Sequence, residues 1–304
     1  MAERPTLPTV AVCVCTYRRA GQLEQLLRAL DQQVTKNRFR FQIVVVDNDA
    51  SESARSVVES CMPQLSVPIT YGVEPRQNIA LARNACIQMA AGDFVAFIDD
   101  DEEPANDWLL RLYETLMESG ADGVLGPVFP KFEDGAPNWA VKGQVFHRPM
   151  FETGTAIHWS ITGTGNVIVR REVMLEVEGP FNPYLGAGGE DTDFFRRAML
   201  QGRVFVWSAD AVCHERVPPE RTRVGFQLRR ALLRGKIASR GNHSNRWRGL
   251  LKSLLAVPAY ALILPLCFLR GSHVFMTYLV RTFDHLGKLL GTCGIDVVGD
   301  RYIS

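Results

Sequence analysis

Three adjacent carboxylates, Asp99-Asp100-Asp101, follow the apolar run Phe94–Ile98, with Glu102 next in line. Like charges this close repel, and leaving them unpaired beside a strand end is costly. A hard divalent cation such as Mg²⁺ or Mn²⁺ removes that cost. It prefers oxygen ligands and takes one or two carboxylates plus phosphate oxygens. The plainer alternative is a solvated acidic turn with helix-capping Asp. Asp47-Asn48-Asp49 ends a second apolar run. A carboxylate there can accept the imide N–H of a uracil, or cap the helix that follows.

Arg76 and Arg83 stand seven residues apart. On one helix they would share a face, and guanidinium groups suit phosphate; without acidic neighbours they would be a solvated helix edge. Gly188-Gly189-Glu190-Asp191-Thr192-Asp193 places two acids where a helix opens. Asp191 there can act as a general base toward an acceptor hydroxyl. Acids at a helix N-terminus are also favoured by the helix dipole alone. His214, in Cys213-His214-Glu215, is either a structural histidine or a further ligand to a cation held by Asp101.

Alternating strands and helices must position these groups. Thr9–Thr16, Phe41–Val46, Ile69–Val73 and Phe94–Ile98 are short, apolar, β-rich runs that read as buried strands. Between them Leu23, Leu26, Leu27 and Leu30 recur at helical spacing. Ser51–Cys61 suits a helix capped by Ser51, and Arg76–Ala91 a helix stopped by Gly92. Trp108–Met117 and Asp191–Leu200 read as helices, Asn166–Val169 and Val204–Trp207 as strands, and Gly126–Phe151 as loops near the site. This order predicts an α/β fold, a mostly parallel sheet with helices on both faces. In such sheets ligands sit beyond the carboxyl ends of the strands, where the polar clusters fall.

Apolar residues make up 46% of the 304-residue chain, as expected for a real core. The net charge of +1 hides a segregation. Residues 216–252 carry about +10, and the remainder about −9. The seven cysteines fit no zinc spacing and read as reduced, mostly buried thiols. No apolar run follows the N-terminus, so no signal peptide is read.

Seven short motifs carry a resemblance: Val12-Cys13-Val14-Cys15-Thr16-Tyr17-Arg18-Arg19, Val44-Val45-Val46-Asp47-Asn48-Asp49, Ala82-Arg83-Asn84, Phe97-Ile98-Asp99-Asp100-Asp101-Glu102, Gly163-Thr164-Gly165-Asn166, Gly189-Glu190-Asp191-Thr192-Asp193 and His214. In this order, over about residues 9–240, the chain resembles a family 2 glycosyltransferase of GT-A fold. Within the family it most resembles bacterial exopolysaccharide enzymes of the succinoglycan glucosyltransferase type. The resemblance implies an inverting, metal-dependent transfer from a UDP-sugar, with glucose favoured. It implies that Thr16, Arg18, Asp47 and Arg83 contact the nucleotide and Asp100 the ribose. Asp101 would ligate Mg²⁺ or Mn²⁺ directly, Asp99 through its water shell, and His214 as in part of the family. Asp191 would be the base, with Glu190 beside it near the acceptor. One departure is that many members have Asp-Asp-Gly-Ser where this chain has Asp47-Asn48-Asp49-Ala50.

The expected division is a catalytic domain, 1–215, with a nucleotide-sugar half to about 125 and an acceptor half at about 126–215. Residues 216–304 would form a basic and apolar helical appendage. Leu254–Leu269 is uncharged and interrupted by Pro258 and Pro265. At roughly 24 Å as a helix it is short for a hydrocarbon core of about 30 Å. Directly after the Arg-rich stretch 216–252, whose Thr222–Arg240 reads as a basic helix, it suits an anionic membrane surface. The expectation is a peripheral or monotopic enzyme at the cytoplasmic face of a bacterial inner membrane, with a lipid-linked or saccharide acceptor and no nucleic-acid partner. A sugar nucleotidyltransferase would need a Gly-rich N-terminal loop, absent before Gly21. A nicotinamide enzyme lacks its G-x-G-x-x-G. A non-catalytic UDP-sugar-binding scaffold would have no use for both the Asp99–Asp101 cluster and Asp191.

Overall fold

The computed structural model describes residues 7–186, 188–240, 246–295 and 297–298. The elements run β1 (Thr9–Thr16), α1 (Ala20–Asp31), β2 (Arg40–Asp47), α2 (Arg55–Cys61), β3 (Ile69–Val73), α3 (Ile79–Met89), β4 (Phe94–Ile98), β5 (Glu102–Pro104), α4 (Trp108–Ser119), β6 (Gly123–Leu125), β7 (Val128–Phe132), α5 (Asn138–Lys142), β8 (Asn166–Arg170), α6 (Arg171–Glu176), α7 (Glu190–Leu200), β9 (Phe205–Trp207), β10 (Cys213–Val217), α8 (Val224–Arg240), α9 (Arg246–Leu269) and α10 (Ser272–Thr292). They fall into two compact units. One comprises Met1–Phe129, Arg148–Gly186 and Glu190–Glu215; the other comprises Pro130–His147, Ala187–Gly189 and Arg216–Ser304. Residues 130–147, assigned from sequence to an acceptor half, group with the C-terminal helices.

The first unit is built on a seven-stranded sheet of order β3-β2-β1-β4-β8-β6-β9. Strands β1 to β4 are parallel neighbours. Only β8 is reversed, antiparallel to both β4 and β6, while β6 and β9 are parallel. Strand β1 shows why both faces are covered. Val10, Val12 and Val14 pack with Leu23, Leu27 and Trp108 in one core. Ala11 and Cys13 pack with Ala82, Cys86 and Phe194 in the other. Period-2 alternation sends successive side chains to opposite layers, and both layers are apolar because helices close both faces. All seven cysteines are thiols, five of them buried.

Chain order leaves β1 between β2 and β4. Successive connections therefore depart in opposite directions on either side of the β1–β4 gap. At such a switch point the loops beyond two neighbouring strands part and leave a crevice. Here those loops hold Thr16-Tyr17-Arg18-Arg19 and Asp99-Asp100-Asp101.

Two helix starts differ from expectation. Helix α3 begins at Ile79, with the Asn78 carboxamide oxygen accepting from Ala80 N at 3.0 Å and Leu81 N at 3.3 Å. Arg76 lies before the helix, bonded to Glu74 at 2.8 Å, so it shares no helix face with Arg83. Helix α2 begins at Arg55. Ser51 turns to Asp49 at 2.8 Å, and Asp47 bonds the Ala54 amide at 2.7 Å. In both cases a side chain that satisfies orphan amides, not the apolar periodicity, fixes where the helix opens.

The second unit contains α5, α8, α9 and α10. Its core joins Trp139, Ala140, Ala231, Met276 and Val280. Helices α8 and α10 meet backbone to backbone: a Cβ on Gly235 would overlap the Asp284 carbonyl, and one on Gly287 the Leu232 carbonyl. The apolar segment is longer than the 16-residue run suggests. Helix α9 spans 24 residues and continues through Pro258 and Pro265.

Candidate active site

Two adjacent arginines diverge at the switch point. Arg18 has φ of 54°, a left-handed conformation that costs a non-glycine residue energy and is kept where surrounding contacts enforce it. The turn sends Arg18 to Asp49, Nε to Oδ2 at 2.8 Å. Arg19 goes the other way. Its Nη1 donates to Asp100 Oδ1 at 2.8 Å and to Asp101 Oδ2 at 3.1 Å. Thr16 Oγ1 donates to Asp100 Oδ2 at 2.8 Å. The β1 loop thus holds the acid cluster beyond β4. Arg18 pulls the Asp49 carboxyl below the usual carboxylate range. Burial pushes Asp100 up despite the opposing Arg19.

Asp47 is fully buried and already committed. It accepts from the amides of Asp49 at 3.1 Å and Ala54 at 2.7 Å, and from the Tyr71 hydroxyl at 3.2 Å. Asn48 ties the same loop to the one after β3. Its amide nitrogen donates to the carbonyls of Glu74 at 2.8 Å and Arg76 at 2.7 Å, and its oxygen accepts from Asn78 N at 2.8 Å. These residues shape the loop wall with bonds that a base could also use.

Arg83 joins the acid cluster to the opening of α7. It is 8% exposed; its Nη1 donates to Glu190 Oε1, and Nη2 lies 3.7 Å from Asp99 Oδ1. Burial drives the Glu190 carboxyl up to about 7, against the pull of Arg83 and with repulsion from Asp191. Glu190 Oε2 is buried with no hydrogen-bond partner. Asn84, next on α3, clasps the segment before α7: it donates to the Phe181 carbonyl at 2.7 Å and accepts from Phe181 N at 3.1 Å.

The Gly163-Thr164-Gly165 loop lies against both acid groups. A Cβ on Gly163 would sit 3.6 Å from Asp191 Oδ2. One on Gly165 would sit 2.6 Å from Glu102 Oε1 and 3.0 Å from Asp99 Oδ2. Asp99 and Asp191 therefore border one loop, and Arg83 closes the other side. Asp191 Oδ1 accepts from Thr192 N at 2.6 Å; the other carboxylate oxygen is the one facing Gly163.

The donor set around Asp99–Glu102 suits a hard cation. It offers carboxylate oxygens only, and Glu102 Oε1 is buried without a partner. Burial and then Asp99 push the Glu102 carboxyl well above its usual range, and burial likewise raises Asp99. Among the described residues no three His, Cys, Asp or Glu side chains gather into a ready-made cage. A site of one or two carboxylates completed by phosphate oxygens needs none. His214 is not gathered with Asp99 and Asp101: it is exposed, stands opposite Glu103 where β10 pairs with β5, and lies against the Phe129 ring at 6.0 Å. The next residue, Glu215, stands opposite Glu102 and binds Arg148 at 2.7 Å.

Sequence reasoning missed the roles of Arg19, Glu102, Gly165 and the Arg148–Glu215 pair. Arg19 had a signal in its place beside Arg18. The pair had none, because 67 residues separate its members.

The model of glycosyl transferase family 2 matches residues 11–177, a span that runs from within β1 through α6 and includes Asp99–Asp101. The chain belongs to glycosyl transferase family 2. It is 39% identical over 235 residues to the succinoglycan biosynthesis protein ExoM of Rhizobium meliloti, covering 76% of this chain and 74% of that protein. It is 28% identical to the glycosyltransferase AglE of Haloferax volcanii, over 70% of this chain and 69% of the relative. The fold matches the mannosyltransferase PcManGT of Pyrobaculum calidifontis, solved with GDP-Man and Mn²⁺, at a TM-score of 0.61 and 20% identity, covering 95% of this chain and 87% of that one. It also matches residues 1–349 of S. aureus TarS in complex with UDP, at a TM-score of 0.53 and 17% identity, covering 94% and 90%. This glycosyltransferase therefore carries a GT-A-like α/β fold, and its Gly163–Gly165 loop lies beside both Asp99 and Asp191.

Proposed function

We propose that this glycosyltransferase inverts the anomeric centre of a UDP-sugar, glucose being the favoured sugar, while transferring it to a lipid-linked saccharide acceptor in bacterial exopolysaccharide synthesis. The observation that carries the reading is Arg83, which binds Glu190 and lies 3.7 Å from Asp99. The acids suited to a nucleotide diphosphate and the acids suited to an acceptor hydroxyl thereby converge. UDP and Mn²⁺ are supported by the ligands named for TarS and PcManGT. A lipid-linked acceptor and glucose are supported by a Campylobacter jejuni relative, a GalNAc(5)-diNAcBac-PP-undecaprenol beta-1,3-glucosyltransferase, 28% identical over 122 residues.

In the proposed reaction the acceptor oxygen forms its bond to C1 of the sugar as the bond from C1 to the diphosphate oxygen breaks. Asp191 Oδ2 takes the hydroxyl proton, and UDP leaves with the electron pair on the opposite face. Single displacement inverts C1. Asp101 and Asp99 would hold the divalent ion, which supplies Lewis-acid stabilisation of charge on the leaving diphosphate. Thr16 orients Asp100 toward the ribose. Arg18 fixes Asp49, and Asp47 shapes the loop against which the uracil rests. Arg83 positions Glu190, and through it the first turn of α7 that carries Asp191. His214 is kept as a ligand that would have to be drawn in when donor binds. Incubating the purified chain with a panel of UDP- and GDP-sugars and a membrane extract, and measuring nucleotide release, tests the reading. Release from a GDP-sugar alone, or retention at C1 by NMR of the product, would overturn it.

The second unit supports a membrane setting. Gly249–Leu269 is a 21-residue apolar stretch of α9 whose most apolar 18 residues have a mean hydropathy of 1.9 and are 11% buried. Leu251, Leu255, Leu262, Leu266 and Leu269 are exposed and recur at steps of four, seven, four and three residues, so one face of α9 offers apolar side chains outward. The inward side is polar in part: Ser253 bonds His285 at 2.9 Å. Helix α10 packs against α9 and α8 and carries Asp284, bonded to Arg234 at 3.0 Å. A crossing α9 would drag that ion pair into hydrocarbon, which is costly. We place α9 flat in the interface of the cytoplasmic face of the inner membrane, where the basic stretch from Arg216 meets anionic headgroups.

A further inference from the structure

We infer that Arg19 is an internal counter-cation that holds the acid cluster until donor arrives, so that divalent-ion binding is conditional on the nucleotide diphosphate. The inference rests on the reading above that this cluster takes a nucleotide and a divalent ion. Asp100 and Asp101 are 5% and 7% exposed, and burying two adjacent carboxylates without compensation is strongly unfavourable. Arg19 Nη1 compensates both at once, at 2.8 Å and 3.1 Å. The geometry is imposed from outside the cluster. Arg19 precedes α1, and its carbonyl anchors that helix by accepting from Gln22 N and Leu23 N, both at 3.0 Å. The left-handed turn at Arg18 aims the two arginines at different acids.

A guanidinium in bonding contact with Asp101 competes for the charge that a cation would use. A divalent ion arriving alone must displace Arg19 and leave a half-buried guanidinium without its carboxylates. A nucleotide diphosphate changes that balance. Its oxygens offer Arg19 a new anionic partner suited to a planar guanidinium, and they also complete the cation's oxygen shell. The two ligands then favour one another by a coupling that is reciprocal, each raising the other's affinity by the same factor. The side chain is 22% exposed, so it has solvent on one side into which it can turn.

The test measures Mn²⁺ affinity of the full chain by electron paramagnetic resonance, with and without UDP, for wild type, Arg19→Gln and Arg19→Lys. Wild type is expected to bind Mn²⁺ at least about tenfold more tightly with UDP than without, toward the lower end of usual site-to-site coupling. Arg19→Gln is expected to bind Mn²⁺ more tightly than wild type in the absence of UDP and to lose most of the UDP enhancement. Arg19→Lys, which keeps the charge, should retain it in part. Wild type binding Mn²⁺ equally with and without UDP overturns the inference with no mutant needed, while leaving the site assignment standing. Equal Mn²⁺ affinities for wild type and Arg19→Gln without UDP overturn it too. No binding of UDP or Mn²⁺ by wild type in any combination sinks the site assignment together with the inference.

Discussion

Replacing Arg83 by Met removes the cation from a nearly closed acid pocket while keeping most of its volume. Arg83 is 8% exposed and Glu190 3%, and Glu190 already has one oxygen without a partner. Removing one member of a buried ion pair costs roughly 3–5 kcal/mol, because the charge left behind has no compensation. The loss must depend on pH. Burial holds the Glu190 carboxyl at about 7 in the folded chain, above its ordinary value of 4.5. The folded state therefore binds the proton more tightly than the unfolded state. Its contribution to stability is fully present below the unfolded value and is lost as pH rises toward the folded value, by on the order of 3 kcal/mol. Near pH 5 Glu190 is largely neutral with or without Arg83; near pH 8 it is charged beside Arg83, and without that cation it must either stay charged and uncompensated or take up a proton, and either outcome costs stability. Urea unfolding followed by tryptophan fluorescence at the two pH values measures the difference. Arg83→Met should cost several kcal/mol near pH 8 and clearly less near pH 5, and adding Glu190→Gln should restore much of the loss near pH 8. A cost below about 1 kcal/mol near pH 8, within the range of an ordinary surface pair, would refute the strut between Asp99 and Glu190.

Asp191→Asn should lower transfer by at least about a hundredfold, the low end for loss of a general base, while calorimetry shows UDP-sugar binding unchanged. Asp101→Ala should remove the difference between UDP affinities with and without Mn²⁺; a persisting difference would count against it as a ligand. Gly165→Ala places a methyl 2.6 Å from Glu102 Oε1. It should destabilise by about 1–3 kcal/mol as an overpacked site, which chemical denaturation reads directly. Leu262→Arg with Leu266→Arg should shift the chain from the membrane pellet to the detergent-free supernatant. Recovery of wild type in that supernatant would refute the flat placement of α9.

The catalytic sheet was legible because its strands are bounded by apolar runs. Thr9–Thr16, Ile69–Val73 and Phe94–Ile98 match β1, β3 and β4 residue for residue. Strand polarity was not: Asn166–Arg170 runs against its neighbours, and nothing in five residues encodes direction. Glu102–Pro104 and Cys213–Val217 went unread because they are largely polar and show no apolar run, and the three residues of Gly123–Leu125 are too few to show a period. Helix starts failed where a distant residue supplies the cap, as Asp47 does for Ala54. The continuity of α9 through two prolines escaped because Pro disfavours a helix interior. Pro258 and Pro265, seven apart, are both exposed and so share one outward face of the helix.

The same limit governs the chemistry. Residue type shows which groups can bind phosphate or take a proton, whereas partnership is decided by the turn that aims them. Arg18 and Arg19 are identical in type and adjacent, yet one holds Asp49 and the other holds Asp100 and Asp101. The difference lies in a single left-handed φ of 54° at Arg18. Arg83 makes the converse case. Its type suits a phosphate, but Glu190 and Asp99 arrive from residues 107 and 16 positions away in the chain and engage it first. A conformation that costs energy in isolation is retained at Arg18 where the ion pairs of Arg18 and Arg19 brace the turn. Relaxing that turn should therefore disturb the nucleotide loop and the acid cluster together. Arg18→Gly, which tolerates the same φ without strain, removes one ion pair but keeps the turn open to either form. It should weaken UDP binding, and with it the Mn²⁺ binding measured in the presence of UDP, whereas Arg18→Ala, which keeps the strain and loses the pair that offsets it, should weaken both further.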